Sequence, residues 1–231
     1  MDVREVFTYP MKDTEWSIKI IIGVALSILP IVNFFCAGYA YRIFKATLNR
    51  EAPTMPQWGE WGDTFIQGLI IFVIRFIYYL IPLIFLGTGS VFLITAFVLR
   101  EKTGVLPSGM ILPGVVLIGV GLILSVVAAV LFPMALAVYA KNNERFGAAF
   151  RLWEIGQNIL AVLDDYFIAI VLLFCVFFAY FVLSAIPYLG ILFAVLLAFY
   201  LKYLFYYALF GSACAGAFAD NAAGLPPAGA R

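Results

Sequence analysis

The sequence contains no histidine among its 231 residues. That absence removes imidazole general bases, histidine metal ligands and Ser-His-Asp nucleophilic catalysis. Charge is scarce as well: 14 Lys and Arg and 13 Asp and Glu make up 12% of the chain, about half the share of a typical soluble domain. So few charges cannot solvate a globule of this size, which excludes both a soluble monomer and a disordered chain. A net charge of +1 provides no basic footprint and argues against nucleic acid as a partner. The three cysteines, Cys36, Cys175 and Cys214, lie inside apolar runs without CxxC spacing. They read as small packing residues, with neither a metal site nor a disulfide framework implied. No small-residue cleavage site follows the charged stretch from Asp2 to Glu15, which reads as an uncleaved end.

What is present is apolar: 65% of residues are hydrophobic and 17% aromatic. A helix needs about 20 apolar residues to cross the hydrocarbon core. Runs of that length extend over Ile20–Tyr41, Phe76–Leu99, Met110–Ala140, Tyr166–Ile186 and from Leu189 to about Ala217. They are apolar on every face, which suits helices rather than alternating barrel strands. The sequence therefore predicts an all-α, polytopic membrane protein with about five spans in one domain over 1–217, and a flexible tail over 218–231. Pro30 interrupts the first run as either a kink or the tip of a re-entrant hairpin, and Pro187 marks a hairpin between the last two. Lys and Arg concentrate in 42–75 and 141–165, which places those loops in the cytoplasm and 100–109 and Pro187 outside. If Pro30 is a re-entrant tip, Arg4, Lys12 and Lys19 join the cytoplasmic set.

Two stretches carry helical amphipathicity. Trp58, Trp61, Phe65, Leu69, Phe72 and Phe76 recur at steps of three and four, opposite Glu60, Asp63 and Gln67. Phe146, Phe150, Trp153, Leu160 and Leu163 repeat the device opposite Arg151, Glu154 and Asn158. Both are predicted as interfacial helices, with Trp58, Trp61 and Trp153 as anchors in the headgroup layer; the alternative is docking on the protein itself. The order of span, basic loop, amphipathic helix and span thus occurs twice. It predicts a degenerate repeat of units near 20–99 and 110–187, followed by a final span over 189–217.

The stretch Gly38-Tyr39-Ala40-Tyr41-Arg42, the segment Met55-Pro56-Gln57-Trp58-Gly59-Glu60-Trp61-Gly62-Asp63, and Gly68-Leu69 resemble a prokaryotic family of multi-pass membrane proteins, domain of unknown function 4013. Tyr9-Pro10 and Trp16 occupy further positions of the pattern, while Gln57 stands where the family usually has an acid. The resemblance implies a membrane topology and no known activity.

Chemistry-bearing candidates are few. Gly87-Thr88-Gly89-Ser90 lacks a histidine to activate Ser90 and reads as close helix packing. Asp164 and Asp165 diverge by about 100° on a helix, which is wrong for a carboxylate dyad. Lys202 lies inside the last apolar run among Tyr200, Tyr203, Tyr206 and Tyr207, as a polar binding position or a snorkelling side chain. Arg75 and Asp165 sit 90 residues apart at equivalent places of the two repeat units, as an ion pair of opposite signs across the repeat interface or as boundary charges that each snorkel to the nearby surface. The sequence thus points to a non-enzymatic protein of the cytoplasmic membrane, a scaffold or accessory subunit needing no cofactor. Its expected partners are membrane lipids and other membrane subunits. The alternative is a small permease or lipid-handling protein with a site between the repeats.

Overall fold

The computed structural model describes residues 3–105, 107–184 and 196–218. Among them every regular element is helical: α1 Val3–Thr8, α2 Trp16–Ile28, α3 Asn33–Leu48, α4 Trp61–Thr103, α5 Ser108–Lys141, α6 Leu152–Ala161, α7 Leu163–Ser184 and α8 Tyr206–Cys214. A π-helical turn over Tyr200–Phe205 leads into α8. Four helical stretches are long and apolar enough to cross a bilayer: Trp61–Thr103, Ser108–Lys141, Leu163–Ser184 and Leu196–Phe218. The protein is an integral membrane protein. The Pro187 tip and residues 219–231 of the tail lie outside the described residues.

The first apolar run does not form one span. It divides into α2, 13 residues, and α3, 16 residues, about 20 and 24 Å long and so shorter than the hydrocarbon core of about 30 Å. Leu29, directly before Pro30, is extended at φ −90° and ψ 124°, the geometry a following proline imposes. The two helices then fold back on each other. The Cys36 thiol donates to the Gly23 carbonyl at 3.3 Å, linking positions about equally far from Pro30. Of the two readings open for Pro30, the structure selects the hairpin, with Ile28, Leu29 and Ile31 exposed at its tip.

The chain divides into two compact units, Met1–Phe72 with Pro133–Arg231, and Val73–Phe132. In the first, α3 and the last helix form the centre. Tyr39, Tyr41, Ile43, Phe44, Leu204, Phe205, Leu209 and Phe210 are all buried, and Gly211 brings that helix against the Phe44 carbonyl and Thr47. The opening turns of α4 cross α3 at backbone distance. A Cβ on Gly38 would strike the Thr64 carbonyl oxygen, and one on Gly68 would strike that of Phe34. Phe34 and Phe35 interleave there with Trp61, Phe65 and Phe72. In the second unit the two helices meet through glycine: a Cβ on Gly89 would lie 2.8 Å from the Gly114 carbonyl oxygen. That is the close packing expected of the Gly87–Ser90 cluster.

The separate amphipathic helix expected before the second span does not exist as such. Trp61 to Thr103 is one helix of 43 residues, because nothing in 61–75 breaks the backbone ladder and the apolar stripe finds α3 to lie on. The second amphipathic stretch is separate: a short 3-10 turn over Phe146–Phe150, then α6, broken from α7 at Val162.

Candidate functional site

Two polar constellations stand out, both in the first unit. The first closes the open end of the α2–α3 hairpin. Lys19 is buried to 4% exposure near the start of α2, a position where an unpaired charge would be costly. Its ammonium donates to Asp13 at 2.6 Å and to the Met55 carbonyl at 3.1 Å. The Trp58 indole N–H donates to the Lys19 carbonyl at 3.1 Å, and the same ring stacks on Tyr39 at 4.2 Å. Trp58 thus touches both legs of the hairpin. The hydrogen bond from Lys19 holds the Asp13 carboxyl below its usual range. The buried Tyr39 hydroxyl has no hydrogen-bond partner among the described residues. Nearby, Tyr9 and Phe7 tie the N-terminal segment to the π-helical turn: the Tyr9 hydroxyl donates to the Leu204 carbonyl at 3.3 Å, and Tyr200 donates to Phe7 at 2.8 Å. Burial pushes the Tyr9 phenol well above its ordinary value.

The second constellation is an open cavity of about 440 Å³ lined by Glu5, Val6, Thr47, Arg50, Glu51 and Asp165 together with Ser212 and its neighbours. Its wall is shaped by the end of α3. The Arg50 N–H bonds the Thr47 carbonyl at 3.0 Å and that of Glu51 bonds Ala46 at 3.0 Å, a Schellman closure. Arg50 takes the left-handed position at φ 62°, where glycine is usual. Beside this corner Lys45 pairs with Glu144 at 2.8 Å, Tyr41 donates to the same carboxylate at 3.2 Å, and Lys141 donates to Asn49 at 2.8 Å. These bonds stitch the end of α3 to the corner after α5.

The residues singled out in the sequence belong to different elements. Asp165 lines the cavity. Lys202 is exposed on the π-helical turn, 4.9 Å from the Tyr203 ring, whose hydroxyl bonds Asn33 at the start of α3. Arg75 belongs to the second unit, where its guanidinium lies 5.8 Å from the Tyr79 ring and 5.7 Å from the Phe132 ring. Trp58 and Trp61 stack on each other at 5.9 Å within the first unit. Trp153 is 80% exposed. Sequence reasoning did not find Lys19, Glu5, Arg50 or Glu51 as members of a site. Lys19 and Arg50 were read only as loop charges, and no local spacing marks them. Among the described residues no group of three His, Cys, Asp or Glu side chains is placed to hold a metal ion.

The hairpin clamp also gathers the sequence features of the family resemblance: Tyr9, Gly38-Tyr39 and Trp58 stand in or beside it. The family model of a protein of unknown function, DUF4013, matches residues 22–189, well over half of the chain. No curated protein and no solved structure matches it. With the motif residues assembled around one hairpin and the family model spanning it, the chain belongs to the DUF4013 family.

Proposed function

We propose that the protein is a non-catalytic scaffold or accessory subunit in the prokaryotic cytoplasmic membrane. The observation that carries this reading is the use made of the family motif: Trp58, Tyr39 and Gly38 are consumed in packing and in holding the hairpin closed. Residues spent in that way build a platform and leave no reacting group. The long apolar helices support the reading, since 6% of the most apolar stretch of Leu163–Ser184 is buried in the chain itself, leaving a face for lipid or subunits. In this reading 42–75 and 141–165 are cytoplasmic. The hairpin adds Arg4, Lys12 and Lys19 to the same side and strengthens the basic bias. Helix α6 lies in the headgroup layer with Leu152, Trp153 and Leu160 outward, and the units near 20–99 and 110–187 form a degenerate repeat followed by a final span.

Crosslinking in intact membranes, followed by purification in mild detergent, tests this. A stoichiometric membrane-protein partner and no solute or lipid movement in reconstituted vesicles is the expected result. A chain that purifies alone and moves a solute or lipid across vesicles overturns it. A lipid-handling protein is the second reading, favoured by the exposed hairpin tip at Ile28–Ile31 and the π-helical turn that carries Lys202.

A further inference from the structure

Apart from Arg75, the charged side chains of the second unit, Arg100, Glu101 and Lys102, stand together at one end of α4. Arg75 stands at the other end of the apolar stretch Phe76–Leu99, which rises about 36 Å as a helix. A hydrocarbon core of about 30 Å fits between these ends, so Arg75 falls at the headgroup level of one leaflet.

The guanidinium has a defined seat there. It lies over the Tyr79 ring, one turn on in α4, and over the Phe132 ring of α5, at 5.8 and 5.7 Å. Phe132 is buried, so one wall of the seat is fixed, while Arg75 itself is exposed. Helical side chains lean toward the N-terminus, which brings the Tyr79 phenol back beside Arg75. Contacts with ring faces use the positive charge and leave the N–H donors unspent. Among the described residues no carboxylate pairs with Arg75, and no hydrogen bond is made by its guanidinium or by the Tyr79 hydroxyl. Donors on neighbouring turns thus converge at the rim of an apolar slab, where an unmade hydrogen bond is costly. Further into the slab Phe76, Leu80 and Leu83 follow at steps of four and three, all exposed.

Phosphate is the acceptor that belongs at this depth, and a guanidinium binds it through two parallel N–H bonds. We propose that Arg75 and Tyr79 bind the phosphate of an anionic phospholipid, whose chains lie along Phe76, Leu80 and Leu83. Charge selects the headgroup. Glu101, at the far end of the span, is the one Asp or Glu of the second unit. Within that unit the ammonium of an ethanolamine headgroup therefore meets repulsion from Arg75 and no acceptor, whereas a glycerol headgroup meets neither difficulty. The inference rests on the membrane class of the chain and holds for a scaffold and a lipid-handling protein alike.

The test uses the full chain in mild detergent, offered equal amounts of phosphatidylglycerol and phosphatidylethanolamine, with retained lipid read by native mass spectrometry. Preferential retention of phosphatidylglycerol is the expected result. R75Q should weaken it about ten-fold and Y79F about three-fold, whereas R100Q, which removes a cation from the far end of the same helix, should leave it unchanged. R75K keeps the charge without the planar fork and should fall between the wild type and R75Q; it carries the test if R75Q does not fold. The soluble source of the same chemistry is inorganic phosphate. A melting-temperature rise with inorganic phosphate that R75Q abolishes overturns the assignment to lipid. Equal retention of the two lipids overturns the proposal, as does retention that R75Q and R75K leave unchanged, or a loss in R100Q as large as in R75Q.

Discussion

The stretches 58–76 and 146–166 have the same amphipathic pattern and opposite fates. The first lies on α3, with Trp58 stacked on Tyr39 and Trp61 edge-on to Phe35, and runs without a break into its span. The second forms a 10-residue helix set apart from α7, with Trp153 and Leu160 facing outward. A hydrophobic stripe at 3.6-residue spacing states that one face seeks an apolar partner; it does not state whether that partner is protein or lipid. Glycine makes the difference here. Gly38 and Gly68 let α3 and α4 approach to backbone contact, and α6 has no such counterpart: nothing lies within 4 Å of a Cβ on Gly156.

The comparison breaks most sharply at that crossing. Gly38→Val should lower stability by about 3 kcal/mol, since the new side chain meets the Thr64 backbone, which cannot yield as a side chain would. Gly156→Val, on the open face of α6, should be neutral or stabilise by about 0.3 kcal/mol, since valine is a better helix former than glycine and its Cβ meets nothing there. Thermal melting in detergent reads both, and similar losses would show that the two stretches are held alike.

Next in size is the clamp that keeps 55–58 against the hairpin. Asp13→Asn removes the carboxylate from the buried Lys19 and should cost about 3 kcal/mol. The sign with pH follows from the lowered Asp13 value. Its contribution is full above the carboxyl's unfolded range and is lost as pH falls through the still lower folded value. Stability measured from neutral to acid pH should therefore show a loss at low pH that Asp13→Asn lacks. An identical acid profile in the two proteins would remove the ion pair from the account.

A spectroscopic difference between the tryptophans sharpens the contrast further. In single-tryptophan variants of the full chain, brominated phospholipid should quench Trp153 fluorescence several-fold more than Trp58, whose ring is covered by Tyr39. Equal quenching would place both stretches in the same environment. The smallest effect is expected at Tyr39. Its hydroxyl is buried with no partner among the described residues, so Tyr39→Phe should be neutral or stabilise by about 1 kcal/mol while keeping the stack on Trp58. A loss of 2 kcal/mol or more would reveal a bond made by that hydroxyl.

Much of this architecture was legible in the chain. Run lengths identify the membrane class: Phe76–Leu99 and Met110–Ala140 fall within helices of the structure, and the run from Tyr166 does so over its described residues, as far as Ser184. The first run misled because apolar length is shared by one span and by two half-helices; Pro30 marks the break without stating its angle. The cavity was largely illegible. Glu5, Arg50 and Glu51 are ordinary loop and helix-end charges, and Asp165 stands out in the sequence only beside Asp164 and for its place in a repeat.

What the sequence determined by itself is therefore whatever depends on local composition: helices rather than strands, a bilayer as solvent, a break at Pro30, and a chain without imidazole chemistry. Contacts across long separations were left to the tertiary structure. It chose the hairpin over the kink by setting Gly23 against Cys36, chose protein over lipid for Trp58, and gathered a cavity from residues as far apart as Glu5 and Ser212. The physical reason is that a bilayer satisfies an apolar face about as well as another helix does. Hydrophobicity sets which segments enter the membrane, and close backbone approach with buried hydrogen bonds decides which of them touch.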